Sequence, residues 1–170
     1  VPVIRVDFEG AFGVWTSDEV KFSFSILEES ISGITYYYST DNGNTWIEIT
    51  TDDEIILTEN TNSTYTFKAV NGAGVESNLS DSYKVMIDTV VPEIQLVPET
   101  TEYTATPYDI TYTVTTGAAG LESFMVNGID ITADGKCTVS GNGNYVFVVT
   151  GKNKISSTTV VEITNFDYDV

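Results

Sequence analysis

The sequence predicts an all-β protein: two tandem β-sandwich domains, one spanning residues 1–89 and the other 90–170, joined by a short stiff linker. Three observations carry that prediction: composition, a period of two in the apolar residues, and an internal repeat. Hydrophobic residues make up 41% and charged residues 19%, enough apolar material for a core. Ten Tyr and eight Phe stand beside abundant Thr and Val, residues that suit a pleated, half-buried surface. Only four prolines occur, and no long apolar stripe recurs at the helical period.

The repeat is the strongest signal. VPVIRV at Val1 aligns with VPEIQL at Val91, and the same offset pairs TSDEVKFSFS from Thr16 with TPYDITYTVT from Thr106. Apolar residues alternate in both: Val20, Phe22, Phe24 and Ile26 in one, Ile110, Tyr112 and Val114 in the other. Such alternation marks a strand with one buried face. Further on, TYTFKAVNGAGVES from Thr64 matches NYVFVVTGKNKISS from Asn144, so Tyr65 answers to Tyr145 and Phe67 to Phe147. The offset has shrunk, and the second copy has lost about ten residues on the way.

Turn signals divide each copy into about seven short strands. The first copy reads as strands near 3–8, 20–27, 34–40, 45–50, 54–58, 64–71 and 82–88. The second reads as strands near 93–97, 110–116, 121–127, 129–132, 136–139, 144–150 and 157–164. About seven strands in 80 to 90 residues suit a sandwich of the immunoglobulin or fibronectin type III kind. Phe22, Phe24, Tyr36, Tyr38, Phe67, Val85 and Ile87 are expected to meet across its two sheets. Between the copies, Val90 and Val91 are β-branched and Pro92 restricts itself and its neighbour, which predicts a stiff, extended junction holding the two end to end.

Charge and missing residue types exclude whole classes of function. The net charge is −18, opposite to the basic footprint that nucleic-acid binding requires, and an anionic membrane surface would repel it. No histidine is present, which removes His bases, Ser-His and Cys-His nucleophile pairs and most zinc or copper sites. Cys137 is alone, so no intrachain disulfide forms, and it reads as a small buried apolar group. No apolar run approaches the ~20 residues needed to span a bilayer.

Ser32, Gly33, Ile34, Tyr36, Tyr38, Ser39, Asp41, Gly43 and Trp46, followed by Tyr65, Phe67, Ala69, Asn71 and Gly74, form a recognisable frame. It closes with Val85, Ile87, Asp88, Pro92 and Ile94, and GLESFMVNGIDIT from Gly120 is a shorter version of it. The frame resembles bacterial Ig-like tandem repeats of cell-surface and secreted proteins. That resemblance implies an extracellular or cell-surface location, neighbouring repeats of the same chain as partners, and a non-catalytic role in spacing, display and adhesion. It also implies a monomeric segment of a longer array, with a host or extracellular protein or glycan as the external partner. The alternative reading is an accessory carbohydrate-binding module of a secreted glycoside hydrolase.

Within the frame, STDNGNTW at Ser39–Trp46 resembles the Asp-box, a hairpin motif of sialidase blades. One copy cannot make a propeller, and no cleft for paired carboxylates is legible, so no catalytic residue and no cofactor are expected. Asp41 is expected to accept hydrogen bonds in that turn, with Asn42 and Gly43 tolerating positive φ. Tyr65 and Tyr145 resemble the tyrosine corner, whose hydroxyl bonds nearby backbone. Asp7, Asp18, Asp88 and Asp167 are candidate calcium ligands at predicted domain ends. Trp15, Tyr37 and Trp46 are candidate glycan-stacking aromatics, with Tyr37 directed away from the core. Lys21, Lys68 and Lys84, strand lysines that could in principle crosslink, read as surface lysines.

Overall fold

A computed structural model describes residues 1–28 and 30–169 and divides the chain into two units, Val1–Asp88 and Thr89–Val170. The first unit contains β1 (Ile4–Glu9), β2 (Trp15–Thr16), β3 (Val20–Ile26), β4 (Ile34–Ser39), β5 (Ile47–Ile49), β6 (Glu54–Leu57), β7 (Thr61–Asn71) and β8 (Tyr83–Ile87). The second contains β9 (Glu93–Pro98), β10 (Tyr108–Thr115), β11 (Leu121–Val126), β12 (Ile129–Asp130), β13 (Lys136–Val139), β14 (Gly143–Gly151) and β15 (Ser156–Ile163). In the first unit, a sheet β1-β3-β6 faces a sheet β2-β8-β7-β4-β5. In the second, β13-β10-β9 faces β12-β11-β14-β15. Each unit is an immunoglobulin-like, fibronectin III-like β-sandwich.

Alternation explains which face turns inward. In β3, Val20, Phe22 and Phe24 are buried while Lys21 and Ser23 between them are not. Across the sandwich Phe22 and Phe24 meet Phe67 at ring separations of 4.8 and 4.9 Å, and Phe24 stacks on Tyr36 at 5.4 Å. Tyr38, expected inside, is only partly buried at the margin of this core. The second core is built from Ile110, Phe124, Val139, Phe147 and Val149, with Tyr112 edge-on to Phe124 at 4.2 Å. Each large side chain so buried contributes about 2 kcal/mol, and no disulfide adds to it.

Strand pairing corrects the repeat alignment at one place. Val6 pairs with Phe24, whereas Leu96, the counterpart of Val6, pairs with Tyr112. The aromatic contacts agree, since Tyr112 meets Phe124 as Phe24 meets Tyr36. Phe24 therefore answers to Tyr112, and Phe22 rather than Val20 answers to Ile110. A two-residue slip leaves every side chain on the same face, so alternation alone cannot detect it.

The strand not foreseen is β2. Trp15 and Thr16 pair in parallel with Met86 and Ile87, extended by Gly13 N–H to Lys84 O and by Asp88 N–H to Thr16 O. In the second unit the same seam is a single bridge, Thr104 to Phe166. A two-residue strand has no period, and its partner lies far along the chain. Among the described residues no helix is long and apolar enough to cross a membrane.

Candidate functional site

The most elaborate polar structure of the first unit is the hairpin between β4 and β5. Asn42 and Gly43 both have positive φ, 59° and 84°, which turns the chain back sharply. The Ser39 hydroxyl, 1% exposed, donates to Asp41 Oδ1 at 2.7 Å and accepts the Gly43 N–H at 2.8 Å. Asp41 in turn accepts the Thr45 N–H at 2.9 Å and the Thr45 hydroxyl at 2.6 Å. Bonds from Thr45, and then from Ser39, hold the Asp41 carboxyl well below the usual carboxylate range, at about 2. Every contact of the carboxylate lies inside the turn.

Trp46 then folds back over what it encloses. A Cβ on Gly43 would lie 3.4 Å from the Trp46 ring. The ring also covers Lys68, whose Nζ is 4.6 Å from the ring centre, with the Tyr37 ring 5.9 Å away on the paired strand. Lys68 Nζ is 2.6 Å from Glu76 Oε1. The expectation of a solvated surface lysine is corrected here: Lys68 is 8% exposed, because an indole lid and a carboxylate make burial tolerable. Lys21 pairs with Glu54, and Lys84 donates to the Asn62 carbonyl.

The three glycan candidates do not gather. Tyr37 and Trp46 share Lys68, while Trp15 sits on β2, at the opposite edge of the sheet from β5. The carboxylate candidates differ in their surroundings. Asp7 is chelated by Arg5 at 3.0 Å, Asp18 donates its N–H to the Thr16 hydroxyl, and Asp88 is buried at 1% exposure. Asp167 accepts the Asp169 N–H and belongs to the second unit. Among the described residues no three His, Cys, Asp or Glu side chains are grouped as a metal site.

The Tyr145 hydroxyl donates to Gly141 O at 3.2 Å, as the corner resemblance implies, whereas Tyr65, its counterpart in the first copy, is buried with its ring against those of Tyr38 and Phe67. Pro92 is fully buried, and its carbonyl accepts the Ser157 hydroxyl at 2.6 Å. Beside it, Asn153, 2% exposed, donates Nδ2 to Val90 O at 2.9 Å, so the segment before β9 is strapped to its own sandwich. Asn153 replaces Ala73 of the first copy. That change was visible in the repeat alignment, although its partner was not.

No family model matches the chain, and no curated protein matches it either. Among solved structures, it is similar to the three N-terminal domains of the bacteriophage RB49 highly immunogenic outer capsid protein (Hoc). The identity is 13% and the TM-score 0.44, over 96% of this chain and 59% of that one. The chain thus spans about three-fifths of the length of that structure.

Proposed function

We propose that the chain is a non-catalytic pair of Ig-like modules, serving as spacer and display segment, with adhesion, in a larger bacterial surface or secreted protein. The observation that supports this reading is where the chain enters and leaves each sandwich. In the first unit Val1, Pro2 and Asn71, the last residue of β7, border one hollow, while β8 finishes at Ile87 opposite Thr61, where β7 begins. In the second, Pro92 lies beside Ser157 near the end of β14, while β15 finishes at Ile163 opposite Gly143, where β14 begins. Each module therefore separates its two chain ends along one strand, by roughly 20–30 Å. Modules of that kind add reach when joined in series.

The polar constellations favour the same reading, because the Asp41, Lys68 and Tyr145 networks are closed on themselves. Small-angle scattering on this chain and on a tandem duplication tests the spacer role: the largest dimension should grow by roughly one domain length per added module. Unchanged reach would overturn it. Glycan binding by the chain that is lost on Trp15→Ala would favour the accessory module of a hydrolase instead.

A further inference from the structure

We propose that the second sandwich carries a binding pocket for a small aromatic molecule of one or two rings, at the place where the first sandwich is filled by its own tyrosine. The strand registers define the equivalence. Tyr38 pairs with Phe67 and with Ile47, while Val126 pairs with Phe147 and with Ile129. Phe67 and Phe147 are matching residues of the repeat, so Val126 stands where Tyr38 stands. On the opposite sheet Phe22 pairs with Ile55 and Ile110 with Cys137, so Cys137 stands where Ile55 stands.

Both replacements remove volume from the same spot. In the first unit the Tyr38 ring lies 5.8 Å from the ring of Tyr65. Among the described residues no ring stands so beside its counterpart Tyr145, and a hollow of about 460 Å³ opens there, lined by Val126, Ile129, Ile131, Cys137 and Tyr145. That volume lies within the ~300–1,000 Å³ range of small-molecule sites. The hairpin that bounds it is also shorter: the offset between copies falls from 88 at Tyr38 and Val126 to 82 at Ile47 and Ile129.

The walls suit a flat ring. Tyr145 offers a ring whose hydroxyl is already engaged with Gly141, and Cys137 offers a soft sulfur. Burial pushes the Cys137 thiol up, so it stays neutral near pH 7 and forms part of an apolar wall. Asn127, Asp134, Lys136 and Thr138 border the mouth, with Lys136 and Thr138 held by Asp109, so a ligand hydroxyl or ring N–H there would turn to Asn127 or Asp134. Phenol and indole have the required size and chemistry.

The test is a titration of the whole chain with phenol and with indole, followed by methyl and amide NMR. Saturable shifts confined to Val126, Ile131, Cys137 and Tyr145 are expected, with cyclohexanol at least fivefold weaker. Val126→Tyr with Cys137→Ile, which restores the filling of the first unit, should abolish the shifts and raise the Tm of the second unit. No saturable shift, equal binding of cyclohexanol, or undiminished binding by the filled variant overturns the proposal. If that variant does not fold, the rate at which a disulfide reagent labels Cys137 in the unaltered chain decides. Saturating indole should slow it severalfold, and an unchanged rate overturns the pocket.

Discussion

The ammonium of Lys68 lies 4.6 Å from the centre of the Trp46 ring and 2.6 Å from Glu76 Oε1. A tryptophan that the sequence offers as a glycan-stacking candidate thereby closes a buried charge.

Trp46→Ala should destabilise the first unit by about 2 kcal/mol, from lost apolar cover and lost cation–π attraction. The second unit should be unaffected. Urea titration followed by NMR, with one set of resonances from each unit, reads both transitions. Equal stability of the first unit before and after substitution would show that the lid contributes nothing.

Acid should act on the same hairpin through Asp41. Its folded value, about 2, lies below the unfolded value of about 3.9. The stabilising contribution is therefore complete above about pH 4 and drains away as pH falls through about 2. Asp41→Asn should be less stable at pH 7, and its Tm should fall less steeply than that of the parent between pH 4 and 2. Parallel curves would refute this assignment.

Two tyrosines of the second unit should differ in worth. The Tyr112 hydroxyl donates to Ile131 O at 2.6 Å and accepts the Gly135 N–H at 2.9 Å, tying together the connection before β13. The Tyr145 hydroxyl makes longer bonds, 3.2 Å to Gly141 O and 3.4 Å from Ser140 N–H. Tyr112→Phe should cost about 2 kcal/mol and Tyr145→Phe about 1 or less. Chemical denaturation of the two variants gives the ranking, and the reverse order would contradict it.

Asn153→Ala should loosen the segment before β9 without unfolding the sandwich. It removes the donor to Val90 O and the acceptor of the Ile155 N–H. Faster amide exchange and lower order parameters at Thr89 to Val91 are expected, with the amides of β14 protected as before. Unchanged exchange at those positions would mean that the Pro92 and Ser157 contact suffices alone.

Alternation in Val20, Phe22 and Phe24, and the match of Tyr65-Phe67 to Tyr145-Phe147, were enough to foresee an all-β chain, its duplication and most of the core. Those are local or repeated patterns, and side-chain period and turn chemistry are set by neighbours in sequence. The positive-φ turn at Asn42-Gly43 was legible for the same reason. What the tertiary structure alone decided involves partners distant along the chain. Trp15 joins Met86 in a strand too short to carry a period, and Lys68 is buried by residues from two other segments. The two-residue slip that pairs Phe24 with Tyr112 was hidden because it preserves the inward face. Only the ladder shows that Val126 and Cys137 stand together where Tyr38 and Ile55 fill the first domain. A hollow is a property of side chains converging from opposite sheets, and no single stretch of sequence contains it.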